Sequence, residues 1–274
     1  MNVSAVCRKL QVTRANYYKR RQHRQRRAVE GDLLAQLVMR ERQKQPRLGT
    51  RKLQVLLRKP LAEAGVRIGR DRIFEELRKR GLLVEKPRAE YAHTTNSRHG
   101  MAVFPNRIRD VKLEAPNKVW VADLTYLRTK ESFVYLALLT DKYSRKIVGY
   151  HCGDTLEASG CVRALEMALK ELPKNAKPIH HSDRGSQYCC DQYLEKIESG
   201  GLAVSMTESN HTAENALAER MNGILKMEYG LGGEFQTREQ ALRAVDEAVY
   251  LYNHCRPHTA LQYRFPTRVH SLAE

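Results

Sequence analysis

The 274-residue chain has no apolar run near the roughly 18 residues that a membrane-spanning helix needs, so we expect a soluble globular protein with no membrane contact. Its basic N-terminus lacks the apolar core of a secretory signal, which favours the cytoplasm. The six cysteines contain no CxxC pair and no regular spacing, a pattern typical of reduced thiols. The membrane and secreted classes are therefore excluded.

Acidic residues are scarce in the first hundred positions. Residues 1–100 hold 26 Lys and Arg against 9 Asp and Glu, whereas residues 101–274 hold 22 of each kind. The net charge of +17 therefore lies entirely in the N-terminal block. Such one-sided charge indicates contact with a nucleic acid, because neutralising phosphates releases condensed counterions. A solvated basic tail is the alternative.

Two stretches of the basic block have helical periodicity. Residues 4–22 predict a short helix, a turn and a second helix, and residues 49–83 predict a helix pair broken over 60–69. We expect a helix-turn-helix-like DNA-binding region over residues 1–83, with outward-facing basic side chains at Arg70, Arg72 and Arg78. A plain helical hairpin with ordinary surface arginines remains the alternative.

Residues 84–111 contain Pro, Gly and Ser and are interpreted as a linker, after which the sequence pattern changes from helical to strand-like. Three apolar, β-branched runs, KVWVADLTYL, SFVYLALLTD and RKIVGYHCG, predict an antiparallel meander. A helix, a short strand ending at HHSD, a helix over residues 187–199, a fifth strand and two further helices follow. This order predicts a mixed α/β sheet in a domain spanning residues 112–274.

Two aspartates fall at chemically informative places. Asp123 interrupts an apolar strand, where a carboxylate is costly unless it is paired or metal-bound, and Asp183 ends the fourth strand. If the first and fourth strands are neighbours, the two carboxylates converge at the sheet edge that presents ligands. A divalent cation with a preference for oxygen ligands is then the usual partner. Each residue taken alone could equally be a loop cap or an ion-pair partner.

A third carboxylate has to come from the segment of residues 208–230, which offers Glu208, Glu214, Glu219 and Glu228. At about 100° per residue, Glu219 lies at the centre of a polar helical stripe. The opposite face of the same helix is apolar. The members of the stripe are Asn215, Glu219, Asn222, Gly223 and Lys226. A solvated amphipathic helix is the alternative.

Asp123, Asp183 and Glu219, with 35 residues between the last two, form the D, D-35-E pattern. The blocks WVADLTYL, HSDRGSQY, ENALAERMNGILK and YNHCRPHTALQYRFPT resemble those of the second-frame (OrfB) transposases of bacterial insertion sequences in the IS-three family. That family lies in the DDE transposase and retroviral integrase superfamily. The likeness extends to the basic N-terminal units and so covers nearly the whole chain.

The resemblance implies a ribonuclease-H-like integrase core with a mixed five-stranded sheet, preceded by the basic helical region. It implies that Asp123, Asp183 and Glu219 are catalytic and hold two Mg²⁺ ions, with Mn²⁺ as a substitute. Lys226, Arg184 and Asn222 would lie beside the DNA, with Arg184 in the loop next to the metals. A surface lysine is the alternative for Lys226.

The implied partners are DNA, both transposon ends and target, further copies of the chain, and a first-frame (OrfA) protein supplied separately or as a fusion. The implied location is the cytoplasm of a bacterium, at the nucleoid. His180 and His181 are expected to pack or hydrogen-bond near the site, and the His254–His258 cluster is expected to be structural or DNA-facing rather than a zinc site.

Two other functions fit parts of the sequence. A hydrolytic nuclease of the same fold would keep the three acids but has no reason to carry the basic N-terminal region. A non-catalytic DNA-binding repressor derived from a transposase would keep the basic region, although its acids would have no reason to remain intact.

Overall fold

The computed structural model describes residues 2–85, 100–208 and 214–272. The chain divides into two compact units. The helical unit contains Met1–Lys44 and Leu48–Glu85, and the α/β unit contains Gln45–Arg47 and Lys86–Glu274. In the described ranges, no helix is both long enough and apolar enough to cross a membrane.

The helical unit has four described helices: α1 (Val3–Lys9), α2 (Arg14–Lys44), α3 (Thr50–Glu63) and α4 (Arg70–Lys79). Residues 28–44, to which no element is assigned from the sequence, continue α2 and carry Leu34 and Val38 into the core. These side chains pack against apolar residues of α3 and α4, namely Leu53, Leu57, Ile73 and Leu77.

The predicted break between α3 and α4 begins later than the sequence suggests. Pro60 lies inside α3, which ends at Glu63, although proline removes a backbone donor from a helix. Burial of Leu57 and Leu61 in the same core explains why the helix continues. The chain turns instead at Gly65, whose φ of 69° suits a residue without a side chain.

The α/β unit is built on a mixed sheet, as expected from the sequence. Its strands are β1 (Val119–Thr129), β2 (Phe133–Asp141), β3 (Ile147–Gly153), β4 (Ile179–Ser182) and β5 (Ala203–Met206). The spatial order is β3-β2-β1-β4-β5. The first three form the predicted antiparallel meander, whereas β4 is parallel to β1 and β5 is parallel to β4. A sixth strand of two residues, β6 (Glu234–Phe235), pairs with the far end of β1.

Helices cover both faces of this sheet. They are α5 (Ala158–Lys170), α6 (Ser186–Cys189), α7 (Asp191–Ser199), α8 (Ala216–Glu228), α9 (Arg238–Cys255) and α10 (Pro266–Ser271), with a 3-10 turn at Thr259–Leu261. Alternate residues of β1 and β2 supply the two cores: Trp120 and Ala122 pack with α5 and α7, whereas Leu127 and Leu136 pack with α8 and α9. Gly149 lets α5 approach β3, because a Cβ there would collide with the Ala164 carbonyl oxygen.

The helix predicted over residues 187–199 is two helices, separated by extended backbone at Cys190. Tyr188 and Tyr193 are five positions apart, about 140° on a continuous helix, so they could not both point into one core. The break lets both rings bury, with their centroids 5.3 Å apart. Side-chain packing therefore overrides the local helical pattern.

The sequence-based boundary near residue 112 lies inside the packed α/β unit. Ile108 is buried against Val119, Val121 and Ala218. The backbone N–H of Arg107 donates to the Ser205 hydroxyl at 2.9 Å. Residues 107–111 are thus anchored by individual contacts, which leave no regular periodicity and resemble a linker in the sequence; residues 86–99 of the predicted linker lie outside the described residues.

Asn253 on α9 secures the irregularity at which β2 and β3 shift register. Its amide oxygen accepts from the Ile147 N–H at 2.9 Å, and its amide nitrogen donates to the Ile147 carbonyl at 3.0 Å. One buried side chain thus satisfies both backbone groups of Ile147.

We expect Asn253→Ala to lower the free energy of unfolding by about 1–3 kcal/mol, because it leaves a buried N–H and C=O without partners. Denaturant unfolding of the full chain measures this loss. Glu247→Ala, an exposed change on the same helix, is the control. Equal stability of the two variants would contradict the role of Asn253.

Candidate active site

The parallel pairing of β1 with β4 brings Asp123 and Asp183 into the same register. Val121 pairs with His181, and each aspartate lies two residues beyond its member of that pair. Asp183 directly follows β4 and its charge acts on Asp123, so the two carboxylates lie close together at the C-terminal end of β4. The neighbouring strands assumed in the sequence interpretation are therefore present.

The Asp123 carboxylate is held by two donors. Oδ1 accepts from the Leu124 N–H at 3.0 Å, and Oδ2 accepts from the Asn222 amide at 2.8 Å. Burial, together with the charges of Asp183 and Glu219, nevertheless raises the pKa of Asp123 to about 7. The three carboxylates thus share one electrostatic environment.

Asp183 begins the loop that leads into α6. Its Oδ1 accepts from the Gly185 N–H at 3.0 Å. A Cβ on Gly185 would lie only 3.1 Å from that oxygen, so a side chain at position 185 would crowd the carboxylate. The sequence HHSDRGSQY is therefore a strand end followed by a tight turn that fixes an acid at the sheet edge.

Glu219 lies in the first turn of α8 and is exposed. Partial burial of its carboxylate raises its pKa, and the charge of Asp183 contributes in the same direction. Among the described residues, none forms a hydrogen bond or ion pair with the Glu219 side chain. The other three candidate acids all have basic partners: Glu208 and Glu214 pair with Arg109 at 2.8 and 2.7 Å, and Glu228 pairs with Arg256 through two 2.8 Å contacts.

Among the described residues, no group of three or more His, Cys, Asp or Glu side chains is arranged so that it could hold a metal ion. The donor set of Asp123, Asp183 and Glu219 still matches a hard divalent cation in chemistry, because all its ligand atoms are carboxylate oxygens. Burial and the neighbouring negative charges raise the pKa of Asp123, and a bound cation would compensate that charge.

Asn222 has a different environment from the one expected for a DNA contact. It is buried, and its amide donates to Asp123 rather than facing solvent. Asn215, also buried, donates to the Ala122 carbonyl at 3.0 Å and ties the start of α8 to β1. The polar stripe on α8 was visible in the sequence, but the strand against which it packs was not.

Lys226 lies on the same stripe, half-buried, with Nζ 4.7 Å from the centre of the Tyr126 ring. Burial lowers its pKa, and the charge of Asp123 partly offsets that effect. Arg184 donates from Nε to the Thr207 carbonyl at 2.6 Å, which connects the Asp183 loop to the end of β5. The Lys226 charge therefore acts on Asp123, whereas Arg184 secures the Asp183 loop.

His180 and His181 are buried and uncharged. The His180 ring shares a 2.9 Å hydrogen bond with the Tyr193 hydroxyl, and His181 shares one of 2.8 Å with Ser205. Burial lowers their pKa values to about 3 and about 4. Both histidines hold β4 in place, and neither supplies a proton near neutral pH.

The C-terminal YN…RPH block is packed inside the α/β unit. Arg256 is buried in its ion pair with Glu228 and lies over the Tyr252 ring at 5.5 Å. His258 is buried beside the same ring. These contacts give the block a structural role.

The three arginines of α4 differ in environment. Arg72 forms a 2.7 Å ion pair with Glu30, a buried residue of α2, so it is an internal side chain rather than an outward one. Arg70 pairs with the exposed Asp71 at 2.8 Å, and Arg78 lies over the Phe74 ring at 4.8 Å. Helical spacing placed Arg72 outside because it could not account for residues 28–44 of α2, to which the sequence interpretation assigns no element.

Comparison with known proteins places the chain among integrase-like and transposase sequences. An integrase core domain model matches residues 114–211, and a second matches residues 200–266. The chain is 37% identical over 260 residues to the uncharacterized 31 kDa protein of insertion element IS600 from Shigella sonnei, covering 93% of this chain and 94% of that protein.

Two named transposases are also similar. Identity is 32% to the transposase for insertion sequence element IS904 from Lactococcus lactis, over 77% of this chain and 84% of the relative. It is 31% to transposase InsF for insertion sequence IS3A from Escherichia coli, over 87% and 83%. Among solved structures, a simian T-cell lymphotropic virus intasome has 18% identity and a TM-score of 0.49, covering 81% of this chain and 74% of that chain.

Asp123 should make the stability of the metal-free protein depend on pH. Its pKa is about 7 when folded and about 4 when unfolded, so between these values the folded state holds a proton that the unfolded state has released. The contribution of this proton to the free energy of unfolding is therefore complete below about pH 4. It falls as the pH rises towards 7, by up to about 4 kcal/mol in total.

Denaturant unfolding in chelator across this pH range measures the effect, with Asp123→Asn as the reference because it cannot titrate. The wild-type protein should lose stability relative to the variant as the pH rises. Parallel pH profiles for the two proteins would contradict the raised pKa.

Proposed function

Because the chain belongs to the insertion-sequence transposases that carry an integrase core domain, we propose that Asp123, Asp183 and Glu219 are its catalytic carboxylates. The protein is a DNA transposase, an enzyme that cuts and joins DNA strands. The observation that carries the residue assignment is the parallel pairing of β1 with β4, which brings Asp183, directly after β4, close to Asp123, with Glu219 near enough to raise the pKa of Asp123.

The proposed cofactor is Mg²⁺, for which Mn²⁺ could substitute, as two ions held by the three carboxylates. Bound there, the ions would activate the attacking oxygen and stabilise the leaving 3′ oxygen. The residues fit this cofactor because their donor atoms are carboxylate oxygens and because the partly buried Asp123 gains from a cation beside it.

The remaining residues of the site orient these acids. The Asn222 amide donates to one Asp123 oxygen and the Leu124 N–H donates to the other, so these two hydrogen bonds fix the orientation of the carboxylate. The Gly185 N–H does the same for Asp183. Lys226 and Arg184 add positive charge beside them, which suits the scissile phosphodiester.

In the proposed reaction, a water molecule first cuts one strand at the end of the element, and the freed 3′-hydroxyl then attacks a phosphodiester of the target DNA. Each step is a direct displacement at phosphorus, so the chain needs no nucleophilic side chain of its own. This agrees with the neutral, buried state of His180 and His181. Only acids that hold cations and groups that position DNA are required.

The helical unit is the proposed contact for the DNA backbone, through the exposed arginines Arg70 and Arg78. Arg72 is left out of this proposal because Glu30 neutralises it. Assembly of several copies on DNA, and a first-frame protein as partner or fusion, complete the proposal. Position at the bacterial nucleoid would follow from binding DNA.

Glu219→Gln should reduce strand cleavage by about 10³-fold or more, since charge stabilisation by held cations is worth several kcal/mol. DNA binding should be unchanged, because Glu219 does not attract phosphates. The measurement is cleavage of labelled DNA that carries the element's own ends, in Mg²⁺, together with an affinity measurement on the same DNA.

Glu214→Gln is the matched control, since Glu214 precedes the same helix but pairs with Arg109. It should retain cleavage. Full activity of Glu219→Gln together with an inactive Glu214→Gln would show that the third acid has been assigned wrongly. Binding without cleavage by the wild type, even with the first-frame protein added, would favour the non-catalytic repressor.

The paired change Arg70→Gln and Arg78→Gln should weaken DNA binding about tenfold and flatten its dependence on salt by about one unit for each phosphate that is no longer neutralised. Arg72→Gln should instead lower stability, because Glu30 loses a partner. Affinity at several salt concentrations and thermal unfolding separate the two effects. Unchanged affinity in the double variant would leave Arg70 and Arg78 as ordinary surface charge.

A further inference from the structure

A second basic site lies in the α/β unit, in a cavity of about 260 Å³. We name it the basic pocket and define it by Lys142, Arg145 and Arg264, which line it together with Tyr143 and Gln262. None of the described residues that line this cavity is acidic. It is therefore different in character from the carboxylate site.

Two rigid turns form its walls. One is the β2–β3 turn, in which Arg145 adopts a φ of 63° and its N–H donates to the Asp141 carbonyl at 2.9 Å. The other follows the 3-10 turn, where Gln262 and Tyr263 have φ values of 54° and 63°. Such conformations are uncommon for residues with a side chain, and they concentrate at functional sites.

The charges of the basic pocket lack acidic partners. Among the described residues, no carboxylate forms an ion pair with Lys142, Arg145 or Arg264. The charge of Asp141 acts on Arg145, but the Asp141 oxygens accept from the Asn117 N–H and from Ser144. The Arg145 Nε is buried and has no hydrogen-bond partner.

Burial and mutual repulsion act on these cations. Burial lowers the pKa of Lys142, and the charge of Arg145 lowers it further. Burial also lowers the pKa of Arg145; the charges of Tyr252 and Asp141 oppose this shift, and the charge of Arg220 adds to it.

We propose that the basic pocket binds a phosphate of the DNA backbone. A phosphodiester in the cavity would pair with the cationic side chains that line it and would neutralise the cluster. The pocket has the volume for one such group and adds the Gln262 amide and the Tyr143 hydroxyl as further polar groups. The inference rests on the proposed function, because it takes the substrate to be DNA.

The test is the salt dependence of DNA binding by the full chain without added metal, using a fluorescent duplex that carries the element's end. Lys142→Gln combined with Arg264→Gln should bind about tenfold more weakly at physiological salt. The slope of log affinity against log salt should flatten by about one unit, as expected when one phosphate is no longer neutralised. Lys174→Gln combined with Lys177→Gln removes two exposed charges elsewhere and is the matched control.

Equal affinities and slopes for the pocket and control variants would overturn the inference, even if the wild type cleaves DNA. A wild type that fails to cleave in Mg²⁺, together with a flattened slope in the pocket variant, would remove the proposed catalytic assignment and leave the pocket standing. If the double variant loses its thermal unfolding transition, Arg264→Gln alone repeats the test, since Arg264 is exposed. Wild-type binding by that single variant would also overturn the inference.

Discussion

The proposed active site of the α/β unit depends on the position of Asp123, a partly buried acid, beside Asp183 and Glu219. Asp123 gains a hydrogen bond from Leu124 and another from Asn222, yet its pKa still rises to about 7 because it is buried near Asp183 and Glu219. A folded protein keeps such an arrangement at a cost in stability, and such costs concentrate at functional sites. Divalent cations would relieve the repulsion, so in our proposal the unfavourable charge is what makes the site bind metal.

Much of the surrounding structure serves to keep these acids in place. Parallel pairing of β4 with β1 fixes the register of Asp183, and the buried histidines and Tyr193 hold β4 against the helices behind it. Asn215 and Asn222 attach α8 to β1 on either side of Glu219. The Arg256–Glu228 ion pair secures the other end of α8. Substitutions in this frame should therefore change the site without touching any of the three acids.

The sequence predicted the parts that depend on local pattern. Alternation in VWVADLTYL and its two neighbours predicted the meander, and helical spacing placed Glu219, Asn222 and Lys226 on one face. It could not show which element lies opposite that face. The sequence therefore predicted Asn222 to contact DNA, although its amide donates to Asp123. It also predicted Arg72 to face outward, although it pairs with Glu30. The break at Cys190 and the packing of Ile108 likewise result from tertiary contacts, which leave no periodic signal.

The most direct test of the central proposal is strand cleavage and joining on labelled DNA carrying the element's own ends, comparing wild type with Asp183→Asn in Mg²⁺, Mn²⁺ and chelator. Asp183 is the informative position, because it interacts with both of the other acids. We expect metal-dependent product from the wild type and none from the variant, while both bind the DNA equally. Undiminished cleavage by Asp183→Asn would contradict the assignment of the three carboxylates to one catalytic site.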